Sequence, residues 1–210
     1  MEEFAKRAER IHGGGVDPKE DNFLKITGEA RLLGTDARLL ELDAPNNPDG
    51  KLNKVAANVA AEYFAGNKDG KIGCQLIFSD IGTPKTAWTP DWAERIKNGG
   101  QFDIYNYLKT ELVKQGIPAE EIAFIHDAKT DAQREALFKD MRSGKKKILI
   151  GSTDQCGTGV NVQAHITAMH HVDCPWKPSC IEQREGRGVR QGNENDEVAI
   201  YRYVTKGTFD

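Results

Sequence analysis

From about residue 73 onward the chain alternates short apolar runs with longer stretches of helical period, and no other feature restricts its fold as much. The runs are Cys74-Gln75-Leu76-Ile77-Phe78-Ser79-Asp80, Ile122-Ala123-Phe124-Ile125, Lys147-Ile148-Leu149-Ile150-Gly151, and residues 166–172 and 198–204. Between them, residues 104–113, 131–141 and 179–190 carry helical spacing. The second of these puts Ala132, Leu137 and Met141 on one side and is closed by Gly144. Strands separated by helices need crossover connections, which favour parallel pairing and a sheet covered on both faces. The chain is therefore predicted to be α/β, with its working residues on loops beyond the carboxyl ends of the strands. That edge would gather Ser79-Asp80, His126-Asp127 and residues 152–162 and 173–178.

The N-terminal third has a different character. Residues 2–11 read as a short helix closed by Gly13, Gly14 and Gly15, and Asp17-Pro18 marks a second helix start. A loop at residues 45–50 precedes a helix predicted to carry Leu52, Val55, Val59 and Phe64 toward a core. Charge outweighs apolar content here, so residues 1–66 read as a helical extension or linker and residues 67–210 as the main domain. A length of 210 residues suits one substantial domain with such an extension. The chain stops at Thr208-Phe209-Asp210 just past a predicted strand, as a boundary cut within a longer protein would.

The net charge of -3 excludes a protein that binds nucleic acid by being basic throughout, so any such contact is local. No run approaches the length of a membrane span and the first residues lack a signal-peptide core, so a cytoplasmic protein with no membrane contact is expected. Cys74, Cys156, Cys174 and Cys180 form no CxxC pair and have no histidine at ligand spacing. They are expected to be reduced and structural, with no metal site.

The most specific segment is Ile181-Glu182-Gln183-Arg184-Glu185-Gly186-Arg187-Gly188-Val189-Arg190-Gln191-Gly192. On a continuous helix Gln183, Arg187 and Arg190 share one face at i, i+4 and i+7. Their like charges repel, and Gly186 and Gly188 each cost about 0.8–1 kcal/mol relative to Ala inside a helix. Such a design suits a surface that another must approach with a polyphosphate between them. The plain alternative is a solvated basic face. Upstream, Gly151-Ser152-Thr153-Asp154-Gln155-Cys156-Gly157-Thr158-Gly159-Val160-Asn161-Val162 follows a buried run directly. Its glycines and small hydroxyls let backbone N–H groups approach an anion or a sugar-phosphate chain, though a tight turn would read the same way. No G-x-x-x-x-G-K-[ST] phosphate cradle occurs, so a nucleotide hydrolase acting alone is not expected.

Other residues invite simpler readings. His170-His171 is expected to be partly buried with a backbone partner, Trp88 and Trp92 to staple a polar loop, and Lys145-Lys146-Lys147 to form a solvated turn. His126 divides evenly between backbone contact and loop support.

Taken in order, these segments resemble the second motor domain of superfamily-two helicases, in wording closest to Swi/Snf-type translocases. Leu76-Ile77-Phe78-Ser79-Asp80 resembles motif IV, and Ile125-His126 with Gln133-Arg134 resembles the segment after it. The loop from Ser152-Thr153 through Gly157, Gly159 and Asn161 resembles motif V, and Gln183, Gly186, Arg187 and Arg190 resemble motif VI. Asp173-Cys174-Pro175-Trp176-Lys177-Pro178 is similar to the stretch that precedes motif VI in that group. The likeness runs over residues 73–210, and more faintly over 21–65. Residues 183–193 are also similar to large helicase-like proteins of phages and mobile elements, some fused to an adenine methyltransferase.

The resemblance implies a RecA-like fold in which Arg187 and Arg190 are arginine fingers. They would reach the γ-phosphate of ATP held with Mg²⁺ on a preceding RecA-like domain of the same protein, while Gln183 couples that closure. Gly157, Gly159, Asn161 and Gly186 would line the nucleotide or the domain interface. Ser152 and Thr153, with Ser79, His126 and Arg134, would face the DNA backbone. Two positions depart from the pattern: Asn161 stands where many helicases have an acidic residue, and Asp154 replaces an arginine common in the Swi/Snf loop. The implied activity is that of an ATP-dependent DNA helicase or translocase, with this portion inactive alone. Two alternatives compete. A DNA-docking or protein-interaction module has no use for intact fingers, and a Rossmann or flavodoxin-like enzyme lacks its G-x-G-x-x-G turn.

Overall fold

The computed structural model describes residues 2–155, 162–189 and 191–208. Three N-terminal helices, α1 (Glu2–His12), α2 (Phe23–Thr35) and α3 (Lys51–Gly66), lead into strand β1 (Cys74–Phe78). There follow α4 (Trp92–Lys97), α5 (Ile104–Lys114), β2 (Ile122–Phe124), α6 (Asp131–Arg142), β3 (Ile148–Gly151), β4 (Ile166–His171), α7 (Pro178–Glu185) and β5 (Ala199–Arg202). The strands form one sheet in the order β2-β3-β1-β4-β5, and each neighbouring pair is parallel. This is the expected RecA-like α/β architecture.

Alternate strand residues feed two cores. Ile77, Ile122, Phe124, Ile148 and Ile150 pack with α3 and α5 on one face. Leu76, Phe78, Ala123, Leu149 and Met169 pack with Phe138 and Met141 of α6 on the other. α6 forms because Thr130 and Gln133 build a reciprocal capping box at its start. It ends where Gly144 takes a φ of +72°.

Two N-terminal expectations change. Leu52, Val55 and Val59 are buried as predicted, but Phe64 is 52% exposed. The next residue on that face is Tyr63, which is buried and donates through its hydroxyl to Glu121 Oε2 (2.5 Å). α3 thus forms part of the main core, so the sheet's cover draws on residues on both sides of position 66. Asp17 caps a turn through Lys19 N–H (2.9 Å), and the helix begins only at Phe23, where Asn22 Oδ1 accepts from Lys25 N–H (2.9 Å).

The connections leave β1 for one side of the sheet (β2, β3) and return to the other (β4, β5). The switch falls beside β1, whose carboxyl end therefore lies between the loops that follow β3 and β4.

Candidate functional site at the carboxyl edge of the sheet

Sheet register places three side chains at one level. Phe78 of β1 pairs with Gly151 of β3 and His171 of β4. Asp80, Thr153 and Asp173 each lie two residues beyond that row, and since side chains repeat every second residue they follow the same face. α7 covers that face. Pro178 opens it, its ring fixing the helical φ where an N–H would lack a partner.

Arg184 of α7 points inward with a fully buried side chain. Its Nε donates to Thr153 Oγ1 (2.8 Å) and its Nη1 to the Asp173 carbonyl (3.0 Å). Its Nη2 donates to Asp80 Oδ2 (2.8 Å) and Asp173 Oδ1 (2.9 Å). The loops also bond to one another. Thr153 donates its N–H to Asp80 Oδ1 (2.6 Å) and its hydroxyl to Asp80 Oδ2 (2.8 Å), and Asp80 N–H donates to Asp173 Oδ2 (2.8 Å). One guanidinium thus ties together the exits of the three middle strands.

Burial pushes the Asp173 carboxyl up, and the Arg184 guanidinium pulls it back. Asp80 keeps 32% of its side chain in solvent, which eases the desolvation of this cluster. The planar fork of arginine, directed three ways at once, has no lysine equivalent.

α7 stops at Glu185, short of the predicted helix through residue 190. Gly186 caps it, donating its N–H to the Glu182 carbonyl (2.8 Å), and residues 186–188 form a turn. Gln183 and Arg187 therefore do not share a continuous helical face. Gly188 also has an internal reason: a Cβ there would lie 2.4 Å from Met169 Sδ, so glycine lets the turn pack on β4. Gln183 is exposed and Arg187 half-buried, and Arg187 N–H donates to the Arg184 carbonyl (3.1 Å). Arg190, Gly157, Gly159 and Asn161 lie outside the described residues.

The residues assigned to the nucleic-acid side divide. Ser79 is fully buried and donates to the Ile81 carbonyl (2.8 Å), while Thr153 is 5% exposed with its hydroxyl engaged as above. In this arrangement neither hydroxyl is offered outward. Ser152 is half-buried and accepts from Gln155 N–H (3.4 Å). Arg134 braces the same loop, donating to Gln155 Oε1 (2.6 Å). His126 sits edge-on against Tyr105 at 5.1 Å, and burial holds its pKa below the ordinary value.

The remaining residues are less involved. His170 is fully buried and bonds to side chains, Gln75 Oε1 (2.9 Å) and the Tyr203 hydroxyl (2.8 Å), where a backbone partner was expected. Trp88 Nε1 donates to Thr110 Oγ1 (3.0 Å), and Trp92 is 3% exposed. Of the described cysteines Cys74 is buried, whereas Cys174 is exposed. No helix among the described residues is long and apolar enough to cross a membrane.

Sequence reasoning missed Arg184, Asp80 and Asp173 as a unit. The one hint within α7 is that Ile181 and Arg184 fall at i and i+3, on one side of the helix.

Residues 94–192 match the model of the helicase conserved C-terminal domain. The chain is 36% identical over 76 residues to Defense against restriction protein B of Escherichia phage P1, a match covering 36% of this chain and 3% of that protein. It is 43% identical over 73 residues to the Bacillus subtilis (strain 168) protein described as uncharacterized ATP-dependent helicase YqhH, covering 35% of this chain and 13% of the relative. The fold is similar to the C-terminal part of the Fun30 ATPase domain, with a TM-score of 0.54 and 17% identity over 79% of this chain and 45% of that one. This chain therefore spans only a small part of its curated relatives.

Proposed function

We propose that this chain, which carries a helicase conserved C-terminal domain, is the second motor half of an ATP-dependent DNA helicase or translocase of the Swi/Snf type. The observation that carries the reading is the convergence of three matched segments on one edge. They are the start of the loop after β3 at Thr153, the loop after β4 at Asp173, and the end of α7 with its Arg187 turn, anchored by Arg184.

ATP would lie between this half and a preceding RecA-like domain that provides the phosphate loop and the Mg²⁺-binding carboxylates. The described residues fit a share in such a site. Asp80 and Asp173 are engaged by Arg184, while Gln183 is exposed and Arg187 half-buried at the end of α7. Bound ATP and Mg²⁺ supply the scissile phosphoanhydride and its charge neutralisation.

On closure Arg187, together with Arg190, meets the γ-phosphate and stabilises the charge that grows there. Such fingers contribute about 10³- to 10⁵-fold in rate. Gln183 senses the same closure from the exposed side of α7. Ser152, His126 and Arg134 lie on the nucleic-acid side, where backbone contact would be independent of sequence and weakened by salt. Opening after hydrolysis shifts the grips of the two halves relative to each other. This half alone is inactive.

The test uses the protein that contains both halves. Arg187→Ala, or Arg190→Ala, is expected to lower DNA-stimulated ATP turnover by about 10³-fold or more while ATP binding stays within a few-fold. Turnover retained in both variants refutes the assignment.

A further inference from the structure

On the basis of the motor-half reading, we infer that Arg184 is a positioning residue. It holds Thr153, just beyond β3, in fixed relation to the Arg187 turn, with Thr153 and Asp80 as its internal partners rather than as nucleic-acid contacts.

The path is short and continuous. The Thr153 hydroxyl accepts from Arg184 Nε at 2.8 Å, and the Arg184 carbonyl accepts the N–H of Arg187 at 3.1 Å. One residue therefore spans the distance between a loop on the nucleic-acid side and a finger on the nucleotide side. The loop cannot slide past it freely, because Thr153 is also held twice by Asp80, at 2.6 and 2.8 Å. Nor can the guanidinium turn, since Asp173 holds it through both a carbonyl and a carboxylate oxygen. Displacing Thr153 must break this network or carry Arg184, and with it the backbone of Arg187.

Stability alone is a poor reason for such a cluster. Buried ionic arrays are often matched or surpassed by apolar side chains of similar volume, so their retention favours a role in geometry. Directional, mutually polarising hydrogen bonds have few alternative arrangements, which suits a part that must be in register or out of it.

The experiment compares Thr153→Val and Arg184→Lys with the parent and with Arg187→Ala, all in the protein that carries both motor halves. It reads kcat, the KM for ATP, the DNA concentration giving half-maximal stimulation, and thermal melting. Thr153→Val keeps the shape of the side chain but loses the hydroxyl. Arg184→Lys keeps the charge but loses the fork, so a result remains readable if either variant folds poorly. In each, kcat is expected to fall about ten- to hundredfold, as for a group misplaced by a fraction of an ångström or more. The KM for ATP and the half-maximal DNA concentration should stay within about threefold of the parent.

A raised half-maximal DNA concentration with kcat unchanged would make Thr153 a nucleic-acid contact and overturn the inference. Lowered melting with unchanged kcat per folded molecule would reduce Arg184 to a structural support, and would overturn it equally. Arg187→Ala separates the two levels. If it abolishes turnover while both other variants behave as the parent, only the positioning role falls; if it and Arg190→Ala both turn over normally, the motor-half reading falls first.

Discussion

Two arginines in this chain each hold two carboxylates, in opposite surroundings. Arg7 of α1 donates to Asp21 (2.7 and 2.8 Å) and to Glu29 of α2 (2.5 Å), and the three side chains keep 21%, 17% and 26% of their surface in solvent. Arg184 makes contacts of nearly the same length to Asp80 and Asp173, yet its own side chain is wholly buried. Mutual hydrogen bonding raises the Arg7 pKa and lowers that of Asp21. At Asp173, by contrast, burial is the leading cause and drives the carboxyl up. Similar distances thus carry different consequences. Water and salt screen the first cluster, whereas in the second each charge depends on its partners.

The largest effect expected from this contrast belongs to Arg184→Ala. Removing one member of a buried ionic cluster costs about 3–5 kcal/mol, because the carboxylates left behind cannot be hydrated in place. For a chain of this size that lowers the melting temperature by roughly 6–20 °C, read by thermal unfolding of the isolated chain. A loss of only a degree or two would put the Arg184 cluster on the same footing as that of Arg7, and the contrast would disappear.

His170 sharpens the comparison by offering burial without a counter-charge. Its pKa is pushed down to about 3 and that of the neighbouring His171 to about 4, in both cases chiefly by burial. The folded values lie below the ordinary 6.5, so the unfolded chain binds more protons between them and stability falls as pH drops through 6.5. From pH 7 to pH 5 each histidine should withdraw about 2 kcal/mol, a window in which most carboxylates stay ionised. His170→Gln is expected to remove roughly half of the pH dependence contributed by the pair, measured from denaturant midpoints at the two pH values. An unchanged slope would mean that His170 titrates in the folded protein as it does in water.

What could be read in advance follows the same division between apolar and polar interiors. The cores of β1, β3 and β4 were legible because consecutive apolar residues have few other places to go, and the observed strands differ from the expected runs mainly at their ends. Crossover helices then imposed parallel pairing. The polar interior was not legible. Arg184 lies among Glu182, Gln183 and Glu185, and local composition marks that stretch as surface. Only the tertiary coincidence of Asp80, Thr153 and Asp173 at one level of the sheet makes burial of a guanidinium tolerable. The end of α7 was misjudged for a related reason. Spacing alone extends the helix to residue 190, while Gly186 ends it and close packing on Met169 selects Gly188. The predicted outward roles of Ser79 and Thr153 rested on hydroxyl chemistry, and sequence could not tell that both hydroxyls turn inward.

The smallest effect should come from Arg7→Ala, and its sensitivity to salt matters more than its size. The contacts join α1 to α2 across a solvated surface, and no residue of α1 is buried. An exposed pair gains little from Coulomb attraction in water and loses side-chain entropy in holding its geometry. The variant should therefore melt within about 2 °C of the parent at low salt. The difference should vanish near 1 M salt, where the screening length is ~3 Å and comparable with the contacts themselves. A loss as large as that of Arg184→Ala, and indifferent to salt, would show α1 docked on the domain as firmly as α7, as part of the cooperative unit.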